Sequence, residues 1–364
     1  MSQPSHQRIE FVHLLRGIAA AMVYWSHVGA WWIGGSGIPW APLNWASQHI
    51  FDPLRLFQFG GHLGVVLFFL ISGFIITKVS QRESPKEFMI KRVCRLWPPI
   101  VMAILLTLLV YWLLTSLGLR APLGVNSTTP TAIVANLFLL SWPLAVPTAL
   151  TVTWTLFVEI VFYAITAAFI PMSKERPFPA TVIALLFVIA VFVPMTWGPL
   201  AYTIDVSILI YLPILIAGRC VYLWTEHREW KWLALAGAAW ATFLAFFAMK
   251  WGGDLWVGQT APIYTYLWAM AIMAIAMLIP MKKTPQPFQF LGNTSYSLYL
   301  LHLPVGSLSM TLLTAAGLSI GSAFAITTAI CLAAAWASYK LVELPSQSLG
   351  RRLSAARQTR LSVA

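Results

Sequence analysis

About ten separate stretches of this 364-residue chain are apolar over the length of a membrane-spanning helix, and no other feature restricts its fold as strongly. They cover residues 11–32, 60–79, 98–118, 150–171, 179–197, 203–224, 231–250, 261–281, 294–315 and 319–341. Lipid offers backbone amides and carbonyls no partners, so each stretch must satisfy them internally as an α-helix. The composition agrees: 59% of residues are hydrophobic and 9% charged, where soluble proteins carry about 25% charge. The expected fold is all-α, a polytopic membrane protein of about ten transmembrane helices. The first stretch is too long for a secretory signal and carries Arg16 where an uninterrupted apolar region would be needed.

The net charge of +12 is explained by topology. With the N-terminus in the cytoplasm, only Arg55, Arg120 and Lys250 of the 23 Lys and Arg fall outside, a strong positive-inside bias. Both termini are then cytoplasmic, and the basic excess implies no nucleic-acid partner. The gaps at 33–59 and 119–149 are too short for a soluble domain. The apolar run Thr131–Trp142 cannot span and is closed by Pro143 and Pro147, as in a re-entrant or interfacial segment. The expected organisation is a membrane domain over 1–345, its last helix ending at Glu343-Leu344-Pro345, because proline disfavours helix in the residue before it. Residues 346–364 then form a basic cytoplasmic tail, with Arg351, Arg352, Arg357 and Arg360 against anionic lipid. Cys94, Cys220 and Cys331 make no disulfide framework or metal motif, so no metal is expected. No internal repeat is evident, which weakens an inverted-repeat transporter reading.

Two ionisable residues interrupt the first stretch, Arg16 and His27. On an α-helix, eleven positions separate them by ~16 Å along the axis and ~20° around it, so both point into one seam. Each costs roughly 2–3 kcal/mol at bilayer depth, which makes the pair a functional candidate. The structural alternative has Arg16 reaching to the headgroups and His27 bonded between helices.

Four further patterns carry polar groups. Gly64–Phe74 has glycines at 64 and 73 that permit close backbone approach, with Ser72 able to bond across helices; it reads first as a packing face. Lys91–Pro98 holds Arg92 and Arg95 three apart, able to grip a phosphate or to anchor the chain at headgroups. Thr153–Tyr163 contains Trp154 and places Glu159 near mid-membrane with Tyr163 one turn on, either as a functional carboxylate or within a structural ion pair. Asn293–Pro304 contains His302, for which a structural hydrogen bond near Pro304 is the default.

In order and spacing these patterns resemble the acyltransferase-3 family of integral membrane O-acyltransferases. Leu15-Arg16-Gly17 through Ser26-His27 looks like its Arg-x10-His signature, and Phe68-Phe69-Leu70-Ile71-Ser72-Gly73-Phe74 like its FF-x-x-SGF segment. Arg92-Val93-Cys94-Arg95 matches its Arg-x-x-Arg, and Trp154-Thr155-Leu156-Phe157-Val158-Glu159 its W-x-L-x-V-E block. Ser295–His302 and Val342-Glu343-Leu344-Pro345 complete the set.

The resemblance implies a ten-helix protein of the bacterial cytoplasmic (inner) membrane. Such a protein moves an acyl group, commonly acetyl, from cytoplasmic acyl-CoA to an extracytoplasmic acceptor, often a carbohydrate. It implies acyl-CoA as co-substrate without a resident cofactor, with a carbohydrate acceptor and membrane lipid as partners; no oligomeric state follows. By the same resemblance His27 is the catalytic group, as general base or acyl carrier, and Glu159 orients or charges it. Arg16 lines the donor route and Arg92 and Arg95 meet the donor phosphates; Ser72, Trp154, Tyr163 and His302 are supporting. The sequence departs from the family where Ile160-Val161 follow Glu159 and where Val66 precedes the paired phenylalanines, positions at which many members carry a further acid. It also has no appended extracytoplasmic domain. The competing classes are a non-enzymatic exporter of polysaccharide or lipid-linked intermediates and a membrane scaffold.

Overall fold

A computed structural model describes residues 7–197, 207–251, 262–279 and 281–361. Residues 203–206, 261 and 280 of the expected spans, and 362–364 of the tail, lie outside them. Among the described residues the chain is helical and contains no strand. Helix α1 (Gln7–Tyr24) runs without a break through a π-helical segment, Trp25–Trp32, into a last turn, Ile33–Ser36, closed by Gly37 at φ 74°. Then follow α2 (Gly61–Ser80), α3 (Pro85–Ser116), α4 (Thr153–Glu175), α5 (Pro177–Trp197), α6 (Leu212–His227), α7 (Trp230–Trp251), α8 (Pro262–Leu278), α9 (Gln286–Ala315), α10 (Ile320–Ser338) and α11 (Leu344–Leu361). Eight of these, α2–α7, α9 and α10, are long and apolar enough to cross a membrane; α1 and the 17-residue α8 stand outside that group. The protein is an all-α polytopic membrane protein.

The chain divides into two compact units, Met1–Phe68 with Ala103–Val125 and Gly253–Lys340, and Phe69–Met102 with Asn126–Gly252 and Leu341–Ala364. In the first, α1 and α9 cross in parallel at two glycines. A Cβ on Gly17 would lie 2.7 Å from the Phe288 carbonyl oxygen, and one on Gly292 2.6 Å from that of His13. Below the crossing, the Glu10 carboxylate accepts 2.6 Å bonds from the Thr284 amide and hydroxyl. Above it, Gly306 packs against Val28. The π segment is braced by aromatic side chains: Trp25 meets Trp40 and, edge-on, Phe324 of α10, while Tyr24 bonds Thr328 at 2.9 Å.

In the second unit, Gly73 of α2 and Gly218 of α6 make a reciprocal crossing, each facing a backbone carbonyl of the other helix, Leu215 and Leu70. The close approach expected of Gly73 is therefore made to α6. A short helix, Pro130–Leu137, occupies the run that is too short to span. Its buried Asn136 accepts from the Leu150 amide and the Thr153 hydroxyl, both at 3.3 Å, which fixes the start of α4. Helix α3 is longer than its apolar stretch: it begins at Pro85 and passes through Pro98 and Pro99, so Arg92 and Arg95 lie on one helix.

The expected stop at Pro345 does not occur. A π turn at Tyr339–Glu343 precedes α11, and Pro345 falls in the first turn of that helix, where a missing N–H is tolerated. The tail is helical, and Gly350 packs against Cys94 and Lys91 of α3.

If the α1–α9 crossing depends on a bare backbone, Gly292→Ala should destabilise the protein by about 1–3 kcal/mol through overpacking. Gly237→Ala, at a position on α7 with nothing within 4 Å, should leave stability unchanged or raise it slightly. Melting curves of both variants in detergent, followed by light scattering and intrinsic fluorescence, make the comparison.

Candidate active site

The polar groups singled out in the sequence form two clusters, one in each unit. In the first, His27 sits in the π segment, half-buried, with Nδ1 2.9 Å from Nε2 of His302 on α9. The two rings are 4.9 Å apart and tilted by 35°. His302 is 1% exposed, and its Nδ1 lies 3.1 Å from the Leu298 carbonyl one turn earlier. Trp31 meets the His27 ring edge-on at 4.9 Å and is itself 40% exposed. Arg16 donates through Nη2 to Ser295 Oγ at 2.8 Å, and that hydroxyl donates onward to the Gly292 carbonyl at 2.9 Å.

Arg16 and His27 thus both reach α9, in the one seam their spacing indicates. The route differs from an ideal helix, because the wider π turn begins at Trp25 and resets the direction of His27. For His302 the residues alone make a structural hydrogen bond the default, and the family resemblance adds a supporting place in the site. That bond exists, to Leu298, but the other ring nitrogen meets His27. The available signal was on α9 itself, where Ser295 and His302, seven residues apart, share one face over two turns.

In the second unit, Glu159 Oε1 accepts from Tyr163 OH at 2.5 Å and from Ser72 Oγ at 3.2 Å. Arg92, 8% exposed, feels the attraction of Glu159 and the repulsion of Arg95. Its guanidinium lies 5.5 Å over the Phe88 ring, and Phe88 packs edge-on against Tyr163 at 5.9 Å. The Arg92 Nε is buried and makes no hydrogen bond. Lys91 is committed elsewhere, to Glu83 at 2.9 Å and Glu87 at 2.7 Å. These three line a cleft with Lys78 and Arg82. Trp154 packs on Tyr211 and Phe69, so its role in this unit is to shape the α4 end. Among the described residues no three His, Cys, Asp or Glu converge to hold a metal ion.

Chemically, the first cluster offers one partly accessible imidazole backed by a second. The second offers two guanidinium groups, with the hydrogen-bonded carboxylates Glu159 and Glu83 acting on Arg92. The pairing suits an acid–base or nucleophilic centre and an anion-binding centre, respectively.

The chain is 29% identical over 283 residues to the exopolysaccharide production protein ExoZ of Rhizobium meliloti (strain 1021), covering 72% of this chain and 80% of that protein. No solved structure matches. The acyltransferase-3 family model, described as an acyltransferase domain, matches residues 9–340, a range that includes both clusters. This chain belongs to the acyltransferase-3 family.

Proposed function

We propose that this family member moves an acyl group, acetyl in the first instance, from cytoplasmic acyl-CoA to a hydroxyl of an extracytoplasmic carbohydrate. The observation that carries the reading is the His27 imidazole, half-buried in a π turn and backed by a buried second histidine. Exposed Trp31 beside it offers an aromatic face on which a sugar can pack. A polysaccharide acceptor is supported by the likeness to a protein named for exopolysaccharide production. The protein is placed in a bacterial inner membrane, with about ten spans over 1–345, both termini in the cytoplasm and the tail 346–364 on the inner side.

Arg92 and Arg95 take donor phosphates; the buried, unbonded Nε of Arg92 is a donor waiting for an anion. The neighbouring cleft with Lys78 and Arg82 gives the nucleotide end room. Glu159, bonded to Tyr163 and Ser72 and felt by Arg92, is assigned to holding that arginine. Arg16, fixed by Ser295, attends the donor route.

At the transfer step the acceptor oxygen attacks the thioester carbonyl while its proton passes to His27, the C–S bond breaks, and the proton goes to the CoA sulfur. Ester and free thiol are the products. The alternative course acylates His27 first and then the acceptor; both use the same ring.

Two measurements test this. Purified protein given labelled acetyl-CoA and a glycan should release CoA and label the glycan, and His27→Ala should abolish both while retaining the wild-type melting temperature. A fully active His27→Ala protein would sink the assignment, and glycan movement across vesicles without CoA release would favour an exporter. Arg92→Ala and Arg95→Ala should each raise KM for acetyl-CoA by about 10- to 100-fold, the range expected for a lost charged hydrogen bond of about 1.5–3 kcal/mol. Their effect on KM for the glycan should be small.

A further inference from the structure

We infer that His302 is a positioning residue that fixes the tautomer of His27, so that Nε2 of His27 is the nitrogen that meets substrate. The inference rests on the acyltransfer reading for its kinetic consequence, but not for its structural content.

A backbone carbonyl can only accept, so the nitrogen facing Leu298, Nδ1 of His302, carries the hydrogen. A neutral His302 then presents a bare lone pair at Nε2. His27 Nδ1 lies 2.9 Å from that lone pair and must donate to it. The proton of neutral His27 is therefore on Nδ1 and its lone pair on Nε2. The opposite arrangement would turn the bare Nδ1 of His302 against the Leu298 oxygen, two acceptors 3.1 Å apart with no hydrogen between them.

His302 has little freedom to do otherwise. It is 1% exposed, held on α9 just below Pro304 and packed 6.0 Å from the Tyr299 ring. Its bond to Leu298 sets its ring plane, and the α1–α9 crossing brings that ring to His27. When His27 accepts a proton at Nε2, it keeps its Nδ1–H bond to His302, and the pair shares the charge. When the proton moves to the leaving sulfur, the starting tautomer is restored. Protons balance without a carboxylate in the pair.

Three variants and one spectrum decide the matter. His302→Leu removes the acceptor; kcat should fall by between about 10- and 10⁴-fold, with KM for acetyl-CoA and for the glycan changed less than about twofold. In His302→Gln a carboxamide oxygen can accept in place of Nε2, and it should recover much of that loss. A purely structural His302 predicts equal losses in both, tracking melting temperature. The spectrum is the ¹⁵N signal of histidine-labelled wild-type protein, with His27 assigned by its disappearance in His27→Ala. It should show a protonated Nδ1 and a bare Nε2. A His27 protonated at Nε2 alone overturns the inference, whatever the kinetics. So does a His302→Leu protein with wild-type kcat while His27→Ala remains inactive. Absence of any acyl transfer by wild type would defeat the function and leave the tautomer to the spectrum, which also decides if His302→Leu does not fold.

Discussion

Gly17 on α1 and Gly292 on α9 bring two helix backbones so near that a methyl group on either would strike a carbonyl oxygen of the other. In lipid there is little hydrophobic drive to press helices together, so close van der Waals approach and short polar contacts hold them instead. The polar chemistry of the first unit follows from this crossing. Ser295, three residues past Gly292, receives Arg16, and His302, two turns further on, receives His27. Had the helices stood a side chain farther apart, each of these groups would face hydrocarbon at a penalty of roughly 2–3 kcal/mol. The Glu10–Thr284 bonds at the base and the Tyr24–Thr328 bond higher up hold the same helix from both ends.

The sequence was most legible where local period decides structure. Apolar runs of spanning length became helices, the Arg16–His27 spacing did put both side chains on one neighbour, and Gly73 did mark a tight crossing. Arg92 and Arg95 share a helix face because they stand three positions apart. What stayed hidden depended on contacts far apart in the chain or on the backbone ladder changing register. His27 and His302 are 275 positions apart, and no periodicity joins them. Gly29 lies in the π segment Trp25–Trp32 and Pro345 just after the one at Tyr339–Glu343, but glycine and proline also occur within the α-helices, at Gly73 and Pro98, so neither residue marks π from α. Proline itself misled at the end of the last span. Pro345 suggested a stop, but it follows a π turn and opens a new helix, where its lost donor matters little.

Two buried arginines in the second unit illustrate how surroundings divide structure from function. Arg219 gives Nε to Thr181 at 2.8 Å and Nη2 to Ser173 at 2.5 Å, tying α6 to α4 and α5 through neutral hydroxyls. Arg92 is also buried, but its Nε bonds nothing, and its surroundings are an aromatic face, a second arginine and the attraction of two carboxylates, Glu83 and Glu159. Burying a guanidinium donor without an acceptor costs on the order of 1–3 kcal/mol. Of these two arginines of one unit, then, Arg219 is a strut, and Arg92 keeps a buried donor that no acceptor meets, which is the feature behind its proposed part in anion binding. Lys91, next to it in sequence, is instead paired with Glu83 and Glu87.

In the first cluster the partner of His27 is a second imidazole and not a carboxylate. A carboxylate partner on His27 would stabilise its imidazolium strongly and hold the proton in place. A neutral imidazole partner orients the ring equally well through one hydrogen bond, yet attracts the charge far less. Acyl transfer from a thioester needs the proton twice, once off the acceptor oxygen and once onto the departing sulfur. A base that takes the proton and gives it back within one turnover is better served by an orienting neighbour than by a trapping one. His27 is engaged by His302 in the first unit and Glu159 by Tyr163 and Ser72 in the second, so the imidazole pair keeps its orientation through one hydrogen bond between two rings.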